Sequence, residues 1–171
     1  PRFSIAYAGN IVGLALTTEG DCGLDMELQR AFRAPDGSHA HDVYPLSSNE
    51  NLWVRNQNDP YEARAQLITL RQSILKLSGE ASDCASLLQL LPGSGRLRAS
   101  RAGQVEALSD AEDFLIWSIA VTPGIERLKI WEFDSRLGWH SLPDVPARAN
   151  EPAARLMRLT SLPAEKAIIL T

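Results

Sequence analysis

Asp25 and Glu27 stand two residues apart in Cys22-Gly23-Leu24-Asp25-Met26-Glu27-Leu28, where acidic and apolar side chains alternate. A period of two is the mark of a half-buried strand: Leu24, Met26 and Leu28 enter a core, and the two carboxylates leave by the other face roughly 7 Å apart. Like charges held so close repel unless a cation lies between them. One or two carboxylates, completed by water and substrate phosphate, are the usual way of holding Mg²⁺. Taken alone, the same pair also describes an amphipathic strand with a solvated acidic face.

A second pair lies on a helix. Asp59-Pro60-Tyr61-Glu62 places an N-cap, a first-turn proline and a capping-box glutamate in order. Leu67, Leu70, Ile74 and Leu77 then recur at helical spacing, and Gly79 suits a left-handed C-terminal cap. The helix is expected from Pro60 to Leu77. Gln72 and Lys76, four residues apart, share a surface away from that stripe. Two further groups are weaker. His39-Ala40-His41 reads as solvated histidines in a polar loop. Gly93-Ser94-Gly95 with Arg96, Arg98 and Arg101 lacks the strand-to-helix setting and the lysine of a P-loop, and reads as a basic loop.

The rest of the chain must position these groups. Phe3 to Tyr7, Ile11 to Thr17 and Cys22 to Leu28 read as a three-stranded antiparallel meander, turned at Gly9-Asn10 and at Thr18 to Asp21. Ile11 to Thr17 is apolar enough to be buried on both faces. Residues 35 to 58 read as a long loop, functional or mobile. Leu87 to Leu91 is a short apolar segment. Phe114 to Val121 and Leu128 to Phe133 suggest a hairpin around Pro123-Gly124, with Trp117, Trp131 and Trp139 as core or rim packing. Asn150-Glu151-Pro152 opens an expected helix to Leu159, and Ala167 to Leu170 an expected last strand.

With 171 residues and 44% hydrophobic content, the chain suits one α+β domain over 1-171, the motifs in 1-80 and the remainder of the lobe in 81-171. A net charge of −4 gives no electrostatic footprint for nucleic acid or an anionic membrane. No apolar run reaches membrane-spanning length and no leader pattern opens the sequence. Cys22 and Cys84 are far apart and read as reduced thiols, so a cytoplasmic setting is expected.

Three segments, in order, are similar to one family. Pro1-Arg2-Phe3-Ser4-Ile5-Ala6-Tyr7-Ala8-Gly9 resembles its P-x-F-S-x-S-H-S-G stretch, Gly23-Leu24-Asp25-Met26-Glu27 its G-[IV]-D-[IV]-E element, and Ile68 to Lys76 its W-[ST]-x-K-E-[AS]-x-x-K helix. The family is the 4′-phosphopantetheinyl transferases, and the likeness covers about the first 80 residues. It implies an antiparallel sheet packed on a long helix, and transfer of the phosphopantetheine arm of coenzyme A to a serine of an acyl or peptidyl carrier protein, as in fatty-acid biosynthesis or secondary metabolism. It assigns Mg²⁺ to Asp25 and Glu27, phosphate and leaving-group charge to Lys76, and coenzyme A contacts to Ala6, Tyr7 and Arg71. Gln72 occupies the position of a glutamate that serves as metal ligand or base.

The departures from the family pattern are chemical. The amide of Gln72 neither ionises nor takes a proton near neutral pH. Tyr7 replaces a histidine, Ala6 and Ala8 replace serines, Ile68 a tryptophan, and Arg71 a lysine. Glu27 or a metal-activated water is then the remaining base. The long form of the family has a further N-terminal segment, so the likeness implies either that half elsewhere or a homo-oligomer completing the site. A second reading keeps the ancestry without the chemistry: a degenerate relative that binds a carrier protein or another partner.

Overall fold

The computed structural model describes residues 1–32, 46–79, 88–99, 103–143 and 156–161. The chain opens with β1 (Arg2–Ala8) and β2 (Ile11–Thr17), an antiparallel hairpin turned at Gly9, whose φ of +59° only glycine adopts freely. β3 (Cys22–Leu28) does not continue this meander. It pairs instead with β7 (Leu115–Val121), Cys22 opposite Val121 and Leu28 opposite Leu115. With β4 (Leu88–Leu91), β5 (Arg96–Ala99), β6 (Glu106–Ala111) and β10 (Met157–Ser161) they form a six-stranded sheet in the order β3-β7-β6-β10-β5-β4. Every pairing is antiparallel except β10 with β5. The architecture is α+β.

The hairpin lies over one face of β3. Its small residues turn inward: Ala6, Ala8 and Ala15 are buried with Leu24, Met26, Trp117 and Ile119. At Gly13 an added Cβ would fall 2.7 Å from Met26 Sδ, so a larger residue there would have to push the Met26 thioether aside. Hence β2 is not buried on both faces; Val12, Leu14 and Leu16 remain exposed.

The opposite face carries α3 (Pro60–Ser78), which follows α1 (Gln29–Phe32) and α2 (Ser48–Arg55). Asp59 Oδ1 accepts from the Glu62 N–H, Pro60 fills the first turn, and Gly79 closes the helix at φ +64°. Leu67, Leu70 and Ile74 are buried, with Leu77 beside them, against Leu90, Leu97, Ala107, Ala120 and Leu159. Burial extends past that stripe to Ile68, Thr69 and Ser73, because the helix lies flat along the sheet.

Several expectations are corrected here. Ser48–Arg55 is helical within the expected long loop, fixed by a capping box between Ser47 and Glu50. Phe114 to Val121 and Leu128 to Phe133 are not partners: β7 sits inside the large sheet, and β8 (Trp131–Asp134) pairs with β9 (Gly138–Ser141). Trp117 is buried, whereas Trp131 and Trp139 are exposed. Leu159 lies in strand β10, where pairing with β6 overrides the expected helix end. Pro92 to Ser94 is a 3-10 turn leading to Gly95. His39, His41, Cys84, Arg101 and the strand at Ala167 to Leu170 fall outside the described residues.

Candidate active site

The site begins at a glycine. A Cβ on Gly23 would lie 2.0 Å from the carbonyl oxygen of Ser73 and 2.8 Å from the Leu77 nitrogen. The backbone of α3 therefore rests directly on β3. A glycine inside a strand is the sequence signal for such an approach, and it stands beside the D-x-E pair.

This contact sets the register of helix against strand. Lys76 Nζ donates to Leu24 O at 2.9 Å and to Asp25 Oδ1 at 3.0 Å. One step deeper, Thr69 Oγ1 and Ser118 Oγ share a buried hydrogen bond of 2.7 Å, and Ser118 is the ladder partner of Asp25. At the far end Gln29 Nε2 donates to Glu62 Oε2 at 2.9 Å. α3 thus runs opposite to β3. Gln72, one turn before Lys76 on the same helix face, is displaced from Lys76 in the direction of Glu27. The carboxylates do leave by the face opposite Leu24 and Met26, but that face is covered by the helix. On the hairpin side, Ser4 Oγ accepts from the Leu24 N–H at 2.9 Å.

Asp25 is mostly buried, its side chain 14% exposed, against 39% for Lys76. Burial raises the Asp25 pKa, while the hydrogen bond and charge of Lys76 and the Met26 amide pull it back. Burial also raises Glu27, aided by the charge of Asp25 and opposed by Lys76. One ammonium therefore does not offset two carboxylates. Asp25 Oδ2 is buried without a hydrogen-bond partner among the described residues. Both facts suit a hard cation. Among the described residues no group of three or more His, Cys, Asp or Glu could hold a metal. Two carboxylates with phosphate and water are sufficient for Mg²⁺.

The other sequence-assigned residues divide. Arg71 does not join this group. Its guanidinium is buried, paired with Glu50 of α2, and donates to Leu88 O of β4 at 3.0 Å. β4 and β3 are opposite edges of the sheet, so Arg71 points away from Asp25. Ala6 is buried on the inner face of the hairpin, against β3, and presents no side chain to a ligand. Tyr7 is 69% exposed. It lies between Ser4, which contacts Leu24, and Gly9, which abuts Leu28, so it stands alongside the middle of β3.

The raised carboxylate pKa values have a consequence for stability. A folded state that holds a proton more tightly than the unfolded chain loses stability as pH rises from about 4 through the raised values. Metal-free protein should melt at lower temperature at pH 7 than at mildly acidic pH in this respect. Glu27→Gln should flatten that decline, and Mg²⁺ should reverse it for the native sequence. Melting curves across pH with chelator or Mg²⁺ check this; an unchanged pH profile for Glu27→Gln would contradict it.

No family model matches the chain. Over 168 residues it is 60% identical to the protein named "Uncharacterized protein YieE" of Escherichia coli strain K12, covering 98% of this chain and 68% of that protein. YieE of E. coli O6:H1, strain CFT073, gives the same values. Among the described residues no helix is long and apolar enough to cross a membrane. At this identity, over more than two thirds of that protein, the chain belongs to the YieE family.

Proposed function

We propose that this chain has the 4′-phosphopantetheinyl transferase-like fold and moves the phosphopantetheine arm of coenzyme A to a serine hydroxyl of an acyl or peptidyl carrier protein, with Mg²⁺ required. One observation carries the reading: Asp25 and Glu27 of β3 share the charge of Lys76 where α3 crosses the strand, with a buried oxygen of Asp25 left without a hydrogen-bond partner among the described residues. The three motifs that resemble the family then supply the substrate.

Asp25 and Glu27 would hold Mg²⁺, which supplies charge neutralisation at the pyrophosphate of coenzyme A. In the reaction the serine oxygen bonds to the phosphorus bearing the pantetheine arm, and the bond from that phosphorus to the bridging oxygen breaks to release 3′,5′-ADP. The serine proton goes to Glu27, the carboxylate left to accept it now that position 72 is an amide. Lys76 has three N–H donors; two are spent on Leu24 and Asp25, and the third is left for a phosphate oxygen. The amide oxygen of Gln72 can accept from the serine hydroxyl and orient it, without taking the proton. The resemblance gives Tyr7 a coenzyme A contact, but its side chain stands on the outer face of the hairpin, away from the face of β3 that carries Asp25 and Glu27. Its free, buried Cys22 suits the reducing cytoplasm in this reading. A binding role without transfer is the second reading, favoured by the amide at position 72.

Calorimetry separates the metal-dependent site from an inert one. Coenzyme A affinity should rise when Mg²⁺ is added, and Asp25→Ala should abolish that dependence, because one remaining carboxylate is too little to dehydrate Mg²⁺. Equal binding of coenzyme A with and without the metal would overturn the proposal.

A further inference from the structure

Arg96, Arg98 and Arg158 stand together on one face of the large sheet. In the sequence the first two read as part of a basic loop, yet both lie on strand β5, and Arg158 lies on neighbouring β10. Leu97 and Leu159 point into the core beneath α3, so the arginines that flank them leave by the opposite face. Arg96 pairs with Thr160 across the parallel ladder, two residues from Arg158. The three side chains therefore rise from backbone points roughly 7–8 Å apart, in a stripe that steps from β10 onto β5. The stripe lies near the sheet edge remote from β3, and on the side turned away from α3 and the carboxylates beneath it.

The charge on this stripe is not balanced from within. A sheet surface gains stability when opposite charges face each other across the ladder, and loses it when like charges gather. Here the cross-strand neighbours are neutral: Leu91 and Thr160 flank Arg96, and Gln89 faces Arg98. The acid beside the stripe is Glu106, and both its oxygens are taken, Oε1 by Arg158 Nε at 3.2 Å and Oε2 by the Ile125 N–H at 2.8 Å. Arg96 and Arg98 have no ion-pair partner among the described residues. Arg98 is exposed, and the Arg158 side chain is half-exposed. In a chain of net charge −4, this is a local patch of the opposite sign, the footprint of an anionic partner.

All three cations are arginines rather than lysines. A guanidinium fork meets a carboxylate through two parallel hydrogen bonds, is weakly hydrated, and is the cation enriched in protein interfaces. We infer that the outer face of β5 and β10 is a docking surface for an acidic polypeptide segment. Carboxylates on alternate residues of an extended chain have the same spacing as Arg96 and Arg98, so one segment lying along β5 meets both. Arg158, already tied to Glu106, marks one end of the stripe. The surface is separate from Asp25, and it holds whether or not that site transfers phosphopantetheine.

Fluorescence anisotropy of a labelled peptide of alternating Glu and Thr tests this on the whole chain at low ionic strength. The native chain should bind the peptide and release it as salt is added. Arg96→Gln with Arg98→Gln should weaken binding about ten-fold or more, the loss of two charge-assisted contacts. Arg98→Gln alone, at an exposed position that leaves the fold intact, should weaken it about three-fold or more. Arg30→Gln with Arg136→Gln removes the same charge from exposed positions on other elements, and should leave binding within about two-fold. Failure of the native chain to bind the peptide would overturn the inference. Equal losses in the two double variants would overturn it too, since net charge alone would then explain the binding. A single-stranded oligonucleotide of equal charge that binds more tightly than the peptide, and is lost with Arg96 and Arg98, would also overturn it and identify nucleic acid as the occupant.

Discussion

Gly23→Ala is expected to cost more than about 3 kcal/mol of stability, above the usual range for overpacking. The added Cβ would sit 2.0 Å from Ser73 O and 2.8 Å from Leu77 N. Both are backbone atoms of a buried helix and cannot swing aside as a side-chain tip would. The substitution is relieved only by lifting α3 from β3, which also withdraws Lys76 from Asp25 and Leu24. Urea unfolding should show the lost stability, and the Mg²⁺ dependence of coenzyme A binding should weaken with it. A variant within about 0.5 kcal/mol of the native protein, the range of an ordinary surface change, would contradict the register of helix on strand.

Glu50→Ala should destabilise the fold by about 3–5 kcal/mol, because it removes the buried carboxylate that pairs with the buried Arg71 guanidinium. Glu50 is 2% exposed and also accepts from the Leu90 N–H at 3.4 Å and the Ser47 N–H at 2.8 Å. Its carboxylate therefore ties α2, α3 and β4 together. Replacing both partners, Glu50→Leu with Arg71→Met, should recover much of the loss, since removing a buried pair together is far milder than orphaning one member. The same double variant should keep Mg²⁺-dependent coenzyme A binding, because Arg71 faces the opposite edge of the sheet. A double variant that regains stability but loses that binding would show that Arg71 does reach the ligand.

Signals in the sequence decide those elements whose physics is local. Asp59, Pro60 and Gly79 delimit α3 to within a residue or two, and the alternation from Cys22 to Leu28 assigns β3 and separates its two faces. Strand partnership was not legible. β3 pairs with β7, more than eighty residues later, and nothing in its own alternation distinguishes that partner from adjacent β2. The apolar content of β2 suggested two buried faces; Gly13 and Ala15 face inward, and the large residues are left outside. Leu159 sits in a stretch read as helix, where pairing with β6 decides the outcome. At the site, helical spacing put Gln72 and Lys76 on one face, and Lys76 does reach Asp25. Arg71, one residue from Gln72, turns roughly 100° away about the helix axis and serves the core instead.

Mass spectrometry of an apo carrier protein incubated with this protein, coenzyme A and Mg²⁺ tests the central claim most directly. The carrier should gain the mass of one phosphopantetheine arm on its serine, slowly with the native chain and not with Asp25→Ala. Gln72→Glu restores a carboxylate beside Asp25 and Glu27 with almost no change in shape, and should raise the rate by one or more orders of magnitude, as expected for recovering a general base. No mass gain with either the native chain or Gln72→Glu, on a carrier that another transferase loads, would contradict the transferase reading and leave a binding role for the site.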